Sequence, residues 1–191
     1  MNDRIINVLM VGVGGQGIIT ASDILSRAAL YSGYDVKKSE IHGMSQRGGA
    51  VFSHVRFGGT VYSPMIPLGE ADVLLSFEMM ETLRWIDYVN QKNGKVIVVD
   101  LKIKPSTVDE YPDWVEDEIK KLPVDKVFLP EGLLKNSSGG VKFVNVAILG
   151  YISKFLPLKN EAWETAIVET VPAAFREENL RAFSAGKNLK I

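Results

Sequence analysis

A chain of 191 residues, 46% of them hydrophobic, is long enough to bury one sizeable core and too short to expect two, so residues 1–191 are read as a single domain. The 22 basic and 23 acidic residues leave a formal charge of -1, which offers no footprint for nucleic acid; no apolar run reaches the roughly 18 residues of a membrane helix, and Met1-Asn2-Asp3-Arg4 lacks a signal-peptide layout, so a cytoplasmic protein without membrane or nucleic-acid partners is expected. The absence of cysteine excludes disulfides, cysteine-ligated iron-sulfur clusters and a thiol nucleophile, and His42 and His54 are too few for most zinc sites, so no metal is expected here and any redox metal belongs to a partner.

In chain order, Ile5 to Val11 is a nearly continuous apolar run, the pattern of a strand buried on both faces. Gly12-Val13-Gly14-Gly15-Gln16-Gly17 follows it and opens a helix in which Ile18, Ala21, Leu25 and Ala28 recur at helical spacing up to Gly33. Asp35 to Ile41 reads as a second strand. Strand, helix and strand imply a right-handed parallel crossover, which brings Gly12–Gly17 and the next stretch, Glu40-Ile41-His42-Gly43-Met44-Ser45-Gln46-Arg47-Gly48-Gly49, to the same carboxyl edge of the sheet.

Ala50 to Phe57 alternates as a strand, and Gly58-Gly59 followed by Thr60-Val61-Tyr62 predicts a tight hairpin with a short return strand. Further strands are expected at Ala71 to Ser76, Lys95 to Asp100 and Val124 to Leu129, with helices at Glu78 to Gln91 (stopped by Gly94) and Asp113 to Leu122. Residues 130–142, rich in glycine, serine and asparagine, predict a long loop. Three helices complete the chain: an almost wholly apolar one from Val144 to Phe155, then amphipathic ones from Glu161 to Val171 and from Arg176 to Ala185, ending at Gly186. The expected fold is α/β, a three-layer domain with a mixed, mostly parallel central sheet, one β-hairpin and a helical C-terminal third.

Gly12 to Gly17 satisfies the G-x-G-x-x-G spacing, which permits a tight turn, close approach of a ligand and close helix-to-strand packing, with free N–H groups and the helix dipole favouring a phosphate or carboxylate. The same glycines also serve a tight turn with no ligand. A dinucleotide site further requires an acid at the end of the second strand, where Lys37 and Lys38 stand and Glu40 is the nearest candidate. In the second stretch Arg47 offers a planar fork to an anion beside the N–H groups of Gly48 and Gly49, and His42 could titrate near neutrality or bridge to Glu40; alternatively Arg47 pairs with Glu40 or a backbone carbonyl to hold the loop's shape. His54 reads as a half-buried sheet residue, Glu78 and Glu81 as stabilisers of a helix N-terminus, and Trp85, Trp114 and Trp163 as packing residues or interface anchors.

Gly14-Gly15-Gln16-Gly17 with Thr20-Ala21, the whole Glu40 to Gly49 stretch, Glu70-Ala71-Asp72 before a strand, Asn145 to Gly150 and Asn179 to Phe183 together resemble the pyruvate/ketoisovalerate oxidoreductase gamma-domain family over nearly the whole chain, and within it the small (beta) subunits of indolepyruvate ferredoxin oxidoreductases. The resemblance implies a heteromeric enzyme that decarboxylates an aryl 2-oxoacid oxidatively, with coenzyme A accepting the acyl group and ferredoxin the electrons. Thiamine diphosphate and 4Fe-4S clusters would lie in a large (alpha) subunit. No catalytic residue of this chain's own is implied; Gly12, Gly14, Gly15, Gln16, Gly17, Thr20, Glu40, His42, Gly43, Met44, Ser45, Gln46, Arg47, Gly48 and Gly49 would serve the interface or contact coenzyme A. The competing reading is a free-standing Rossmann-like dinucleotide-binding protein.

Overall fold

The computed structural model describes residues 4–42, 49–104 and 109–191. Strand β1 (Ile6–Val13) leads through helix α1 (Ile18–Tyr31) to β2 (Asp35–His42), which runs in the same direction; β3 (Ala50–Gly58) then comes back antiparallel between them. Three parallel additions follow: β4 (Val73–Ser76) beside β1, β5 (Lys95–Val99) beside β4, and β6 (Asp125–Leu129) at the far edge. The six-stranded sheet has the order β2-β3-β1-β4-β5-β6.

Two helical layers cover this sheet, and the pleat of β1 shows how the sequence supplies both. Val8 and Met10 point into one core, shared with Val55, Phe57, Leu75 and Ile97 and roofed by α1 together with α5 (Val144–Ile152), α6 (Asn160–Thr170) and α7 (Arg176–Asn188). Leu9 and Val11 point into the other, with Leu74, Val96 and Val98, under α2 (Met79–Trp85) and α3 (Val115–Lys121). Apolar side chains on both faces are what a run without polar alternation requires. Between β6 and α5 lies α4 (Glu131–Ser138).

The expected α/β architecture is present, with four corrections. Gly58-Gly59 makes no hairpin: the chain runs on, the N–H of Val61 donates to Asp35 Oδ2 at 2.8 Å, and Val61 is buried. The hairpin is instead the β2–β3 pair, joined through residues 43–49, so β1 and β2 are parallel but not adjacent. Helix α2 stops at Trp85 and passes through a single 3-10 turn, Ile86–Tyr88, rather than continuing to Gln91. The loop expected over 130–142 contains α4, because Leu134 is fully buried and Gly139 (φ 82°) closes the helix in the left-handed region. Finally, α7 does not end at Gly186 but continues to Asn188.

Among the tryptophans, Trp163 is fully buried and Trp85 meets Phe52 with ring centroids 4.1 Å apart and the planes tilted by 45°, whereas Trp114 is 58% exposed. His54, expected to be half-buried, is fully enclosed between Phe52 and Tyr88. No helix among the described residues is long and apolar enough to cross a membrane.

Candidate functional site

The turn after β1 is held by its own glutamine. Gln16 Oε1 accepts the N–H of Val13 at 2.7 Å, and Gln16 Nε2 donates to the carbonyl of Phe77, also at 2.7 Å, just beyond the end of β4. This hairpin-like return of the side chain requires the glycine before it, since a Cβ on Gly12 would stand 2.5 Å from Gln16 Oε1 and 2.9 Å from Phe77 Cβ. Gln16 is therefore a structural staple, with both ends of its amide committed inside the chain.

Gly14 N–H donates to Gly49 O at 2.9 Å, which ties the first glycine stretch to the end of the second. Gly49 thus stands at the same sheet edge as Gly12–Gly17, with β3 inserted between β1 and β2. Gly15 (φ 99°) and Gly17 (φ 76°) then adopt the left-handed backbone that delivers the chain into α1. The carbonyl of Gly17 takes Asn145 Nδ2, from α5, at 3.3 Å. Among the described residues, the N–H groups of Gly15, Gly17, Ile18, Ile19 and Thr20 find no acceptor, and the first turn of α1 carries no acidic side chain. The positive end of the α1 dipole is thus uncompensated.

Two cavities open on either side of this end. One, of about 290 Å³, lies between Gly15, Gly17, Phe77, Leu101, Lys135 and Lys142. The other, of about 250 Å³, is bounded by Thr20, Phe143, Val171, Phe175 and Asn179. Gly17, Lys142 and Asn145 line both. Lys135 is engaged by Glu131 at 2.7 Å, but Lys142 has no carboxylate partner among the described residues and sits 5.8 Å from the centroid of the Phe175 ring. N–H donors, a cation and apolar walls can hold an anionic group attached to a largely apolar body.

Of the residues singled out from the sequence, Gly12, Gly14, Gly15, Gln16, Gly17 and Gly49 meet at this edge, and Thr20 lines the second cavity. Glu40 does not: it is paired with Lys38 at 2.7 Å. His42 contributes its backbone to β2, opposite Val51. Gly43, Met44, Ser45, Gln46, Arg47 and Gly48 lie outside the described residues. Sequence inspection missed Lys142 and Phe175, and weighed Asn145 only as part of a helix; a lysine directly after Gly139-Gly140-Val141 was the one local signal.

Glu78 reads correctly as the cap of α2, accepting the N–H of Glu81 at 3.0 Å. Its other oxygen takes Tyr111 Oη at 2.7 Å and the N–H of Ile103 at 3.2 Å, so the carboxylate is fully spoken for within the fold. Burial, followed by the bond to Glu78, pushes the Tyr111 phenol far above its ordinary range. Among the described residues no three acidic or histidine side chains gather in a way that could hold a metal ion.

A glycine turn at the start of a mixed sheet, an antiparallel strand interposed before the second parallel one, and a Glu40 already paired with Lys38 near the end of β2 separate this chain from the dinucleotide-binding class. The chain belongs to the pyruvate ferredoxin/flavodoxin oxidoreductase family, whose model matches residues 7–189. It is 41% identical to indolepyruvate oxidoreductase subunit IorB of Thermococcus kodakarensis, over 94% of this chain and 93% of that one, and 40% identical to the subunit of the same name from Pyrococcus horikoshii, with the same coverage. Among solved structures, the gamma subunit of a keto/oxoacid ferredoxin oxidoreductase from Geobacter sulfurreducens superposes with a TM-score of 0.69 at 26% identity, covering 95% of each chain.

Proposed function

We propose that this chain is the small subunit of a heteromeric indolepyruvate ferredoxin oxidoreductase working in the cytoplasm. The observation that carries the reading is the identity of about two residues in five to subunits of that name along nearly their full length. In the reaction, an aryl pyruvate, coenzyme A and two oxidised ferredoxins give the aryl-acetyl-coenzyme A thioester, carbon dioxide, a proton and two reduced ferredoxins. The bond from the carboxylate carbon to the keto carbon breaks, the sulfur-to-acyl bond forms, and the two electrons leave to ferredoxin.

With no cysteine in this chain, thiolate ligation of 4Fe-4S clusters falls to the large subunit. Thiamine diphosphate, bound there as well, supplies the carbanion stabilisation that decarboxylation needs. This chain's own contribution is to bind and orient. The N–H groups of Gly15, Gly17 and Ile18, with Lys142, would receive phosphate oxygens of coenzyme A, while Phe77, Leu101 and Phe175 offer apolar walls to the rest of that molecule. Arg47, with Gly48 and Gly49 beside it in the chain, would add a guanidinium and contact the large subunit.

The test is to tag the chain in its own host and purify it anaerobically. A large, cysteine-rich subunit containing thiamine diphosphate should accompany it, and the complex should turn over indolepyruvate. In that complex, Lys142→Ala and Arg47→Ala should each raise the KM for coenzyme A roughly tenfold or more, the loss of one charge-assisted hydrogen bond, and leave the KM for the oxoacid unchanged. Repeated recovery of the chain alone would overturn the subunit reading; an intact complex with unaltered kinetics would overturn the coenzyme A site.

A further inference from the structure

We propose that the free edge of β2 is an association surface for a second copy of this chain, joining two six-stranded sheets into one through an antiparallel β2–β2 pair centred on Ser39. The inference does not depend on the reaction assigned above. β2 is the last strand of the sheet; β3 occupies one side of it, and no described element pairs with the other. All eight of its residues, Asp35 to His42, stay in uninterrupted register with β3, without a bulge or a proline. Such an edge presents a row of open N–H and C=O groups, which folded proteins normally blunt. The opposite edge of this sheet is blunted: β6 has only five residues, and Lys126 Nζ folds back onto the carbonyl of Leu122 at 2.8 Å.

The charges on β2 are arranged for self-pairing. A strand meets its own copy antiparallel only about a two-fold axis perpendicular to the sheet, and opposed residues must then share a face. With Ser39 on the axis, Lys38 stands opposite Glu40 of the second copy, and Glu40 opposite its Lys38; on the other face Lys37 stands opposite Ile41. Moving the axis to Lys38 would set two lysines against each other, and moving it to Glu40 would set two carboxylates together. Opposite charges directly across a sheet stabilise and like charges destabilise, so among the registers centred on Lys38, Ser39 and Glu40 the charge pattern favours Ser39.

Two further observations favour that arrangement. Lys38 is already held between Asp23 and Glu40, with its side chain only 22% exposed, so little rotamer freedom remains to be lost when a second carboxylate arrives. Ile41, by contrast, is 48% exposed, and the methylene stem of the opposing Lys37 would cover it.

Sedimentation of the full chain at low and high salt tests this, with Lys38→Glu and Glu40→Lys as variants whose fold is checked by circular dichroism. The wild type should dimerise at low salt and weaken as salt screens the pairs. Each variant alone sets like charges opposite at both pairs and should lose at least tenfold in dimer affinity; an equimolar mixture of the two sets opposite charges at both and should recover it. A wild type that stays monomeric at high concentration, variants that dimerise like the wild type, or a mixture that does not recover would each overturn the proposal. In the assembled complex, Ser39→Cys introduces the chain's only cysteine, at the axis. Oxidation should link two copies of this chain. A link to the large subunit instead would assign the edge to that subunit and overturn the proposal.

Discussion

Gly186 on α7 lies against the backbone of Ala147 on α5: a Cβ built on it would stand 1.8 Å from the Ala147 carbonyl oxygen, and on Gly150, one turn along α5, a Cβ would meet the carbonyl of Phe183 at 2.0 Å. The two helices pack at backbone distance through reciprocal glycines, and there the cost of glycine inside a helix is outweighed by the close approach it allows.

Gly186→Ala should accordingly destabilise the protein by about 2 kcal/mol or more, because the obstacle is backbone, which cannot rotate away. Gly132→Ala is the contrasting case. It lies in α4 with open space around its Cβ position, and there alanine should add a few tenths to about 1 kcal/mol. Urea unfolding of the two variants should give shifts of opposite sign.

Gln16→Ala removes two hydrogen bonds at once and leaves the Val13 N–H and the Phe77 carbonyl without partners. Buried groups left unsatisfied cost about 1 to 3 kcal/mol each, so the midpoint of denaturation should fall clearly. Gln16→Glu discriminates donor from acceptor. Its carboxylate still takes the Val13 N–H but opposes the Phe77 carbonyl, so it should rescue only part of the loss.

Glu81 is 5% exposed, and burial, moderated by Arg84 and Trp85, raises its pKa above the ordinary 4.5. A carboxyl whose folded pKa is raised favours folding in its protonated form, so that contribution is full below pH 4.5 and is lost as pH rises through the folded value. Glu81→Gln can still accept from Trp85 Nε1 and carries no charge to bury. Above pH 4.5 the wild type should therefore lose stability relative to this variant, which melting curves across the acidic range would reveal.

His54 has the opposite sense. Burial, then the neighbouring Arg56, lowers its pKa from 6.5, and Nδ1 accepts the N–H of Ile66 at 3.2 Å while Nε2 is enclosed without a partner among the described residues. The unfolded chain takes up the proton first, so stability present above pH 6.5 is lost as pH falls through the folded value. His54→Gln should flatten that slope below pH 6.5 and, with an amide to accept from Ile66, should keep the segment after Ser63 in place. A variant with an unchanged slope would exclude His54 as its source.

The elements that could be read directly are those whose residues decide their own conformation. β1, α1 and β2 follow from an apolar run, a helical stripe and the glycines at 17 and 33. What escaped depends on distant partners. The alternation in β3 predicts a strand but says nothing of its neighbours, and only pairing with both β1 and β2 places it between them. Gly58-Gly59 carries a turn's composition, yet the bond from Val61 to Asp35 and the burial of Val61 draw the chain onward. α4 hides among turn-forming residues, since Leu134 is its one buried apolar side chain. At the site the glycine turn was legible and its walls were not: Lys142, Asn145 and Phe175 reach it from the far end of the chain.

That distance has a consequence for the protein's synthesis. Asn145 meets Gly17 across 128 residues, and at about 5 to 20 residues per second the ribosome needs on the order of ten seconds to travel between them. Throughout that interval the glycine turn exists without the lysine, the asparagine and the aromatic wall that complete it. The turn is made well before the residues that wall it, so the two can meet only once Lys142, Asn145 and Phe175 have left the tunnel.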